Sequence, residues 1–127
     1  KVELELVPQG TLAERIRSGG AGIPAFFTPT GVGTRMAEGK ESRMFAGREY
    51  LLEYGLTSDF ALLRGDKSDT FGNTVYKGTS RNFNAVMAAA ANVTVMEVNQ
   101  ILQAGQLDPA SVVTPAIYVD RVVAIPT

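Results

Sequence analysis

The sequence of 127 residues contains no cysteine and no histidine. Disulfide bonds, a thiol nucleophile, cysteine–histidine zinc sites and any serine–histidine triad built from this chain are therefore excluded. Acid–base or covalent chemistry would depend on carboxylates, lysine or tyrosine. The rest of the composition, 45% hydrophobic and 20% charged, is that of one soluble globular domain able to bury a core.

An excess of charge of either sign is also missing, because 12 basic and 13 acidic residues give a net charge of −1. Nucleic acid and anionic membranes are therefore not indicated as main partners. No apolar run is long enough to cross a bilayer, and the N-terminal segment KVELELVPQG lacks the apolar core of a signal peptide. We therefore expect a cytosolic type of protein.

The predicted elements alternate between strands and helices. The segment VELELVP has the two-residue period of a strand, and a short helix follows that Thr11 would cap and Gly19–Gly20 would end. The segment IPAFFTPTG is extended because its prolines oppose helix. Further strands are predicted in EYLLEYGL, DFALLRG and NVTVMEV, and a last one over 117–125. This order predicts an α/β fold with an open, mostly parallel sheet flanked by helices.

Two more local patterns belong to this prediction. The segment DTFGNTVYKGTS is typical of a hairpin with Gly72 and Asn73 at the bend. The segment SRNFNAVMAAAA has the spacing of a helix, for which Ser80, Asn82 or Asn84 would be the N-terminal cap.

Two familiar motifs occur in the wrong context. Residues 20–25 match G-x-G-x-x-G/A, but they end a predicted helix, whereas a dinucleotide-binding motif opens one. They are better explained by a tight turn where two backbones cross closely. The triplet RGD at residues 64–66 follows a predicted strand, and we interpret it as a coincidence. Gln9 ends the first predicted strand, where its amide would either donate a hydrogen bond into a cleft or stabilise the loop.

The order of five motifs resembles the α subunit of family I coenzyme A transferases, which include acetate, 3-oxoacid and 3-oxoadipate CoA-transferases. The motifs cover essentially the whole chain and are VELELVPQGTLAERIRSGGAGIPAFFTPTGVGT, AEGKE, DFALLRGDKSDTFGN, TSRNFN and VTVMEVNQI…GQLDP…VVTPAIYVDRVV. This chain departs from the family at Gly65, where relatives commonly carry alanine and where glycine would loosen the strand end. A sugar-phosphate isomerase fits the fold class but not this set of motifs.

The resemblance implies a ping-pong transfer of CoA between an acyl-CoA and a free carboxylic acid. Coenzyme A would be a substrate, with no permanently bound cofactor and no metal. The family's nucleophile is a glutamate in a SENG-type motif on the β subunit, and this chain has no such motif. Such an enzyme would be cytoplasmic in a bacterium and in the mitochondrial matrix in a eukaryote.

The resemblance also implies roles for particular residues. Gln9, in the PQGT motif, would stabilise the oxyanion of the tetrahedral intermediates. The TPTG segment would form a wall of the acyl-binding cleft, with Phe26 and Phe27 packed behind it. The substrate-binding candidates lie in TPTG and RNFN, and they are Thr28, Thr30, Gly31, Asn82 and Asn84.

Family α subunits begin with a further block that carries a GGFG-type glycine loop, so residues 1–127 are expected to be the C-terminal portion of an α-subunit domain. The expected partners are that N-terminal α segment and a β subunit, in a hetero-oligomer. A portion of this kind should expose a sheet edge and apolar surface. The alternative is a non-catalytic α/β module that binds a metabolite or organises an oligomer.

Overall fold

The computed structural model describes residues 1–126. The chain divides after Leu56 into two compact units. The first unit contains one helix, α1 (Gln9–Gly20), and an antiparallel sheet of order β1-β3-β2. The strands of this sheet are β1 (Ala25–Thr28), β2 (Ser42–Phe45) and β3 (Arg48–Tyr54).

In the first unit, helix α1 and the end of strand β3 cross at two glycines. A Cβ atom on Gly19 would lie 2.6 Å from the carbonyl carbon of Leu56, and one on Gly55 would lie 2.7 Å from the carbonyl oxygen of Ile23. The N–H of Leu56 donates to the carbonyl of Arg15 at 2.7 Å across this crossing. The close backbone crossing predicted for residues 20–25 therefore lies at Gly19 and Gly55, which have room only for hydrogen, whereas a Cβ atom on Gly22 would meet nothing within 4 Å.

The first unit also buries an ion pair. Glu53 on β3 is 4% exposed, and its Oε1 lies 2.6 Å from Nζ of Lys40. On the same strand, Leu51 is buried. The negative charge of Glu53, inside this small sheet, is therefore compensated by Lys40.

The second unit contains two sheets and a helix of five residues. The parallel sheet, of order β4-β7-β9, and the mixed sheet, of order β6-β5-β8, are each three-stranded. The elements are β4 (Ser58–Arg64), β5 (Lys67–Asp69), β6 (Thr74–Val75), α2 (Asn84–Ala88), β7 (Ala91–Val98), β8 (Gln100–Leu102) and β9 (Arg121–Ala124). The prediction of an α/β fold with a parallel sheet is confirmed here, while the sheet of the first unit is antiparallel.

The core of the second unit lies on one face of the parallel sheet. Alternate residues of β4 and β7 point to this face, as the two-residue period of a strand requires. The buried core residues are Ala61, Leu63, Ala88, Met96 and Val98. Helix α2 contributes Ala88, so a small residue lets the helix backbone approach the sheet closely.

The predicted hairpin is confirmed, since β5 and β6 pair antiparallel across the bend at Gly72 and Asn73. Oδ1 of Asp69, which is 4% exposed, accepts the N–H groups of Phe71, Gly72 and Asn73 at 3.0, 3.0 and 2.9 Å. Its Oδ2 accepts a bond from the Asn73 side chain at 2.8 Å. Burial raises the pKa of this carboxyl, but these hydrogen bonds together outweigh burial and hold the pKa below its ordinary value.

Gly65 is tightly packed. A Cβ atom there would lie 2.5 Å from Cγ2 of Thr74 and 3.2 Å from Cγ1 of Val98. The expectation that glycine loosens this strand end is therefore wrong, because its missing side chain lets the buried Thr74 pack against the backbone.

The predicted first strand is not formed. Residues 1–8 lie outside any helix or strand, and Val2, Leu4 and Leu6 are 94%, 81% and 66% exposed. The alternation is present, but a strand also needs a neighbour for its backbone hydrogen bonds. Within residues 1–126, no strand pairs with this segment.

The caps of the helices differ from the prediction. Helix α1 begins at Gln9, because the carbonyl of Pro8 already accepts the N–H of Leu12 at 2.9 Å. Thr11 therefore lies inside the helix and is buried, and it does not cap it. The helix ends at Gly20 as predicted, but the left-handed residue is Gly22, with φ of 71°.

Helix α2 and the last strand are shorter than predicted. The N-cap of α2 is Phe83, and none of Ser80, Asn82 and Asn84 caps it with its side chain. Helix α2 ends at Ala88, and only the last alanine of the run, Ala91, belongs to strand β7. Residues 116–118 form a 3-10 turn after a proline, so β9 is restricted to Arg121–Ala124.

Candidate functional site

A cavity of about 340 Å³ lies in the first unit, between the start of α1 and the β1 strand. Its lining combines three residues from the first turns of α1 with two aromatic residues and two further threonines from β1 and the segment after it. The lining residues are Gly10, Thr11, Glu14, Phe26, Phe27, Thr28 and Thr30. Since it joins the PQGT and TPTG motifs, this cavity is the candidate site.

The helix end at this cavity carries free donors. The N-cap residue Pro8 has no side-chain oxygen to accept their hydrogen bonds, and the first turn of α1 contains no acidic residue. The N–H groups of Gln9, Gly10 and Thr11 have no partner four residues earlier within the helix. The helix dipole places partial positive charge at the same end. The arrangement therefore favours negative charge beside Gly10 and Thr11.

Gln9 is the first residue of α1 and is exposed. Its side chain makes no hydrogen bond to another residue of the part described, 1–126. The cavity lining begins at Gly10, the next residue, and does not include Gln9 itself. The predicted amide is therefore not part of the cavity lining, and its role as an oxyanion donor stays a prediction.

The TPTG segment is divided between the cavity and a turn. Thr28 and Thr30 line the cavity, and Oγ1 of Thr28 accepts the N–H of Thr30 at 3.3 Å. Gly31 is not among the lining residues. It has φ of 93°, and its carbonyl accepts the hydroxyl of Thr34 at 2.7 Å. Gly31 is therefore explained by the turn, because glycine adopts positive φ without strain.

The aromatic residues take a different place from the one expected. Phe26 and Phe27 line the cavity themselves and do not pack behind its wall. The ring of Phe27 meets that of Phe45 edge to face at 5.2 Å, and the guanidinium of Arg43 lies 5.0 Å from the Phe27 ring centre. These contacts fix the orientation of the ring.

Glu14 is the charged residue of the cavity lining. The Arg17 guanidinium donates to Glu14 at 2.6 and 3.0 Å, and this hydrogen bond lowers the pKa of the Glu14 carboxyl against a smaller opposing effect of burial. Glu14 therefore stays ionised near neutral pH, with its charge compensated by Arg17. No group of three or more carboxylates among residues 1–126 is arranged to hold a metal ion.

The two asparagines of RNFN lie in the second unit. Asn84 accepts the N–H of Arg64 at 3.1 Å and donates to the carbonyl of Ser80 at 2.9 Å, so both ends of its amide have structural partners. Asn82 is exposed and has φ of 36° and ψ of −128°. This conformation is strained for a residue with a side chain. Both residues stay candidates, and Asn82 is the one whose side chain is free within the described residues.

The RGD triplet is held by one asparagine. Arg64 donates to Oδ1 of Asn99 at 2.7 Å, and the amide of Asn99 donates to Asp66 at 2.9 Å. The two charged side chains of the triplet therefore serve to connect the ends of β4 and β7. This structural role supports the interpretation of the triplet as a coincidence.

Sequence reasoning missed Gly10, Thr11 and Glu14 as lining residues. The capping-box pattern assigns Thr11 and Glu14 to the helix cap, and that assignment places the cap three residues too late, at Thr11 and not at Pro8. Pro8 was the available signal, because proline is common at the first position of a helix, and here it stands one residue earlier, at the N-cap.

The model of the coenzyme A transferase family matches residues 1–124. The chain belongs to this family. Among curated relatives, one subunit of the probable succinyl-CoA:3-ketoacid coenzyme A transferase of Bacillus subtilis is 56% identical over 97% of this chain and 52% of the relative. One subunit of the 3-oxoadipate CoA-transferase of Pseudomonas putida is 53% identical over 98% of this chain and 54% of the relative.

A mouse relative, named succinyl-CoA:3-ketoacid coenzyme A transferase 2A, mitochondrial, is 46% identical over 99% of this chain and 28% of its own length. This coenzyme A transferase chain therefore spans about half the length of the bacterial relatives it matches, and less of the mouse one. No helix found in residues 1–126 is both long enough and apolar enough to cross a membrane.

Solved structures of coenzyme A transferases share the fold. The acyl-CoA transferase YdiF of Escherichia coli O157:H7, in a thioester complex with CoA, has a TM-score of 0.83 at 24% identity and matches 94% of this chain and 28% of its own. The glutaconate coenzyme A-transferase of Acidaminococcus fermentans has a TM-score of 0.82 at 15% identity, over 94% of this chain and 45% of its own. The predicted fold class is thus confirmed.

Proposed function

We propose that this chain is part of the α subunit of a coenzyme A transferase, which moves CoA between an acyl-CoA and a free carboxylic acid of the 3-oxoacid, succinate or acetate type. The support is the family membership together with the cavity at the uncapped start of α1. The two bacterial relatives are each named as one subunit of such an enzyme, and their names include succinyl-CoA, 3-ketoacid and 3-oxoadipate.

The proposed reaction uses a glutamate of a β subunit as the nucleophile, and this glutamate becomes acylated. Its carboxylate attacks the thioester carbonyl of the acyl-CoA, and the C–S bond breaks to give an acyl-glutamyl anhydride and CoA thiolate. The thiolate then attacks the glutamyl carbonyl, which releases the first carboxylate and leaves a glutamyl-CoA thioester. A second carboxylate repeats these steps in reverse order, so CoA passes to it without net oxidation or proton consumption.

The contribution of this chain would be to stabilise the oxyanion that forms at each attacked carbonyl. The free N–H groups at the start of α1 and the dipole of that helix are fixed before the reaction begins. The side-chain amide of Gln9 lies at the same helix end and is not used by another residue described. The threonines and aromatic residues of the cavity would contact the acyl group.

The partners in this proposal are the β subunit that carries the nucleophile and the remaining part of the α subunit, in a hetero-oligomer. The chain spans about half the length of its bacterial relatives, and this supports the remaining part of the α subunit as a partner. The proposed location is the cytoplasm of a bacterium, or the mitochondrial matrix if the protein is eukaryotic, as in the name of the mouse relative.

Substitution Gln9→Ala in the enzyme reconstituted with its β subunit tests the role of this amide. Loss of one oxyanion donor is expected to lower kcat by about 10²–10³-fold. Exchange of CoA between acetoacetyl-CoA or another acyl-CoA and a free acid gives the rate, and trapping of the acyl-glutamyl intermediate by hydroxylamine reports the first half-reaction.

The matched control is Gln103→Ala, since Gln103 is also an exposed glutamine but lies in the second unit. It should keep the unsubstituted rate. Unchanged turnover in Gln9→Ala would remove Gln9 from the mechanism. Absence of CoA exchange in the complete unsubstituted enzyme, for every acyl-CoA tried, would instead favour a non-catalytic module.

A further inference from the structure

The loop between β6 and α2 carries positive charge that no neighbouring acidic residue balances. Residues 77–82, which we call the basic loop, are all exposed. Lys77 precedes a 3-10 turn (Gly78–Arg81), and Arg81 ends that turn. The sequence contains no aspartate or glutamate in residues 70–96, and neither cation forms an ion pair within residues 1–126. Both cations are therefore free to meet an anionic ligand.

The basic loop is fixed on both sides by side-chain hydrogen bonds. On the side of β6, the hydroxyl of Tyr76 forms a hydrogen bond of 2.6 Å with Oγ1 of Thr114. On the side of α2, Oδ1 of Asn84 accepts the N–H of Arg64, the last residue of β4, at 3.1 Å. The loop therefore lies beside the carboxyl end of a parallel strand, which is where open α/β sheets bind their ligands.

Asn82, in the basic loop, has a strained backbone. Its φ of 36° and ψ of −128° are close to those of the first central residue of a type II′ turn, where glycine is usual. Ala46 is the other residue besides glycine with positive φ in residues 1–126, and the tight turn between β2 and β3 accounts for it. Asn82 lies in no such hairpin, and its side chain has no hydrogen-bond partner in the part of the chain described. Strain of this kind clusters at functional sites, so we interpret the amide as one that a ligand uses.

The chemistry of the basic loop fits a phosphate group. The planar guanidinium of Arg81 can donate two parallel hydrogen bonds to phosphate oxygens, and the ammonium of Lys77 supplies a second positive charge. The amide of Asn82 adds an uncharged donor. A carboxylate has one negative charge and would leave one cation unbalanced, whereas a phosphate monoester carries nearly two near neutral pH.

We propose that Lys77, Arg81 and Asn82 bind a phosphate group of coenzyme A. This inference rests on the proposed function, because it takes the phosphate from the substrate of that function. The phosphates of coenzyme A are remote from its thiol, where the reaction takes place. The basic loop would therefore contribute to the binding of the acyl-CoA, while the bond-breaking steps depend on other residues.

The first test compares two substrates in the complete enzyme, with the full α subunit and the β subunit. Succinyl-CoA has the phosphates, and succinyl-pantetheine has the same thioester without them. We expect Lys77→Ala and Arg81→Ala each to lower kcat/KM for succinyl-CoA by about 10-fold, the loss typical of one charged hydrogen-bond partner, and to leave the value for succinyl-pantetheine unchanged. The matched control is Arg35→Ala, an exposed arginine of the first unit, which should change neither value.

The second test measures binding without turnover. Desulfo-coenzyme A, which has all the phosphates of CoA but no thiol, is titrated into the same enzyme by calorimetry, and inorganic phosphate is the comparison ligand. We expect the Kd for desulfo-coenzyme A to rise about 10-fold in Arg81→Ala and to stay unchanged in Arg35→Ala. Inorganic phosphate should bind more weakly than desulfo-coenzyme A to the unsubstituted enzyme.

Asn82→Gly relieves the backbone strain and removes the amide at the same time. We expect Tm to rise by about 2–4 °C and the Kd for desulfo-coenzyme A to increase about 5-fold. Ala46→Gly is the matched control, because it also relieves a positive φ but lies in a hairpin turn; its Tm should rise without any change of Kd. A higher Tm with an unchanged Kd in Asn82→Gly would contradict the role proposed for Asn82.

Three results would overturn the proposal as a whole. An unchanged Kd for desulfo-coenzyme A in both Lys77→Ala and Arg81→Ala would mean that the basic loop is only a solvated surface. An equal loss of kcat/KM with succinyl-pantetheine would mean that the loop acts on something other than phosphate. Equal affinity for inorganic phosphate would assign the loop to free phosphate.

Failure of this inference can be told apart from failure of the proposed function. An enzyme that binds desulfo-coenzyme A through the basic loop but exchanges no CoA would contradict the proposed function alone. An active enzyme whose Lys77 and Arg81 variants keep their kcat/KM for both substrates would contradict this inference alone.

Discussion

The two units of this chain are stabilised in different ways. The first has a small antiparallel sheet, in which a glycine crossing and one buried ion pair hold the elements together. The second has a parallel sheet with an apolar core of alanine, leucine, methionine and valine side chains. Polar and backbone contacts require one geometry, whereas apolar packing tolerates small changes of shape. The unit with the candidate cavity is therefore the one with the stricter geometry.

The largest effect is expected from Gly19→Ala. A methyl group would meet the backbone of Leu56, which cannot rotate away, so the helix and the strand would have to separate. We expect the free energy of unfolding of the full subunit to fall by more than about 4 kcal/mol, measured by urea denaturation. Gly10→Ala is the control, because a Cβ atom there meets nothing within 4 Å. Equal stability of the two variants would contradict the close contact between Gly19 and the backbone of Leu56.

The next effect is expected from Lys40→Met, which leaves the buried carboxylate of Glu53 without a partner. The expected loss is about 3 kcal/mol, at the lower end for broken buried pairs because the lysine side chain is 21% exposed. The double variant Lys40→Met with Glu53→Leu should recover most of this loss. If the double variant is no more stable than the single one, packing and not charge would explain the effect.

In the second unit, Gly65→Ala should have a smaller effect of about 2 kcal/mol. The added methyl group would meet Cγ2 of Thr74, a buried side chain whose hydroxyl donates to the carbonyl of Gly72 at 3.0 Å. Adding Thr74→Ser removes that methyl group and keeps the hydroxyl. Thermal unfolding of the double variant should therefore show less loss than the sum of the two single variants. Simple additivity would contradict the contact.

The smallest effect is expected from Asp69 and depends on pH. Hydrogen bonds hold the folded pKa of Asp69 below that of the unfolded chain, which is about 4 for aspartate. Its stabilisation is therefore complete above about pH 4 and is lost as the pH falls through the folded pKa. Asp69→Asn should flatten the acid side of the stability profile by on the order of 1 kcal/mol. The matched control variant is Asp59→Asn, at an exposed position.

Local patterns predicted most strands and the hairpin, because their signals lie within a few residues of each other. The Phe26–Phe27 strand, the EYLLEYGL strand and the bend at Gly72 are examples. The two failures have different causes. VELEL needs a neighbouring strand, and the cap of α1 was decided by the carbonyl of Pro8 and not by the side chain of Thr11.

The candidate site was predictable only in part. The PQGT and TPTG motifs indicated Gln9, Thr28 and Thr30, and the latter two line the cavity. Glu14 was missed as a lining residue because its distance from β1 follows from the path of α1 over the sheet. The role of Asn84 was not predictable either, since Arg64 is its partner from twenty residues away.

The crossing of Gly19 and Gly55 has a practical consequence for building chimeras between relatives. A junction placed between these positions would combine a helix end and a strand end that had not been selected to fit at backbone distance. A transplanted segment that begins before Gln9 and finishes at Leu56 keeps the crossing intact. Chimeras between relatives should therefore exchange residues 9–56 as one block.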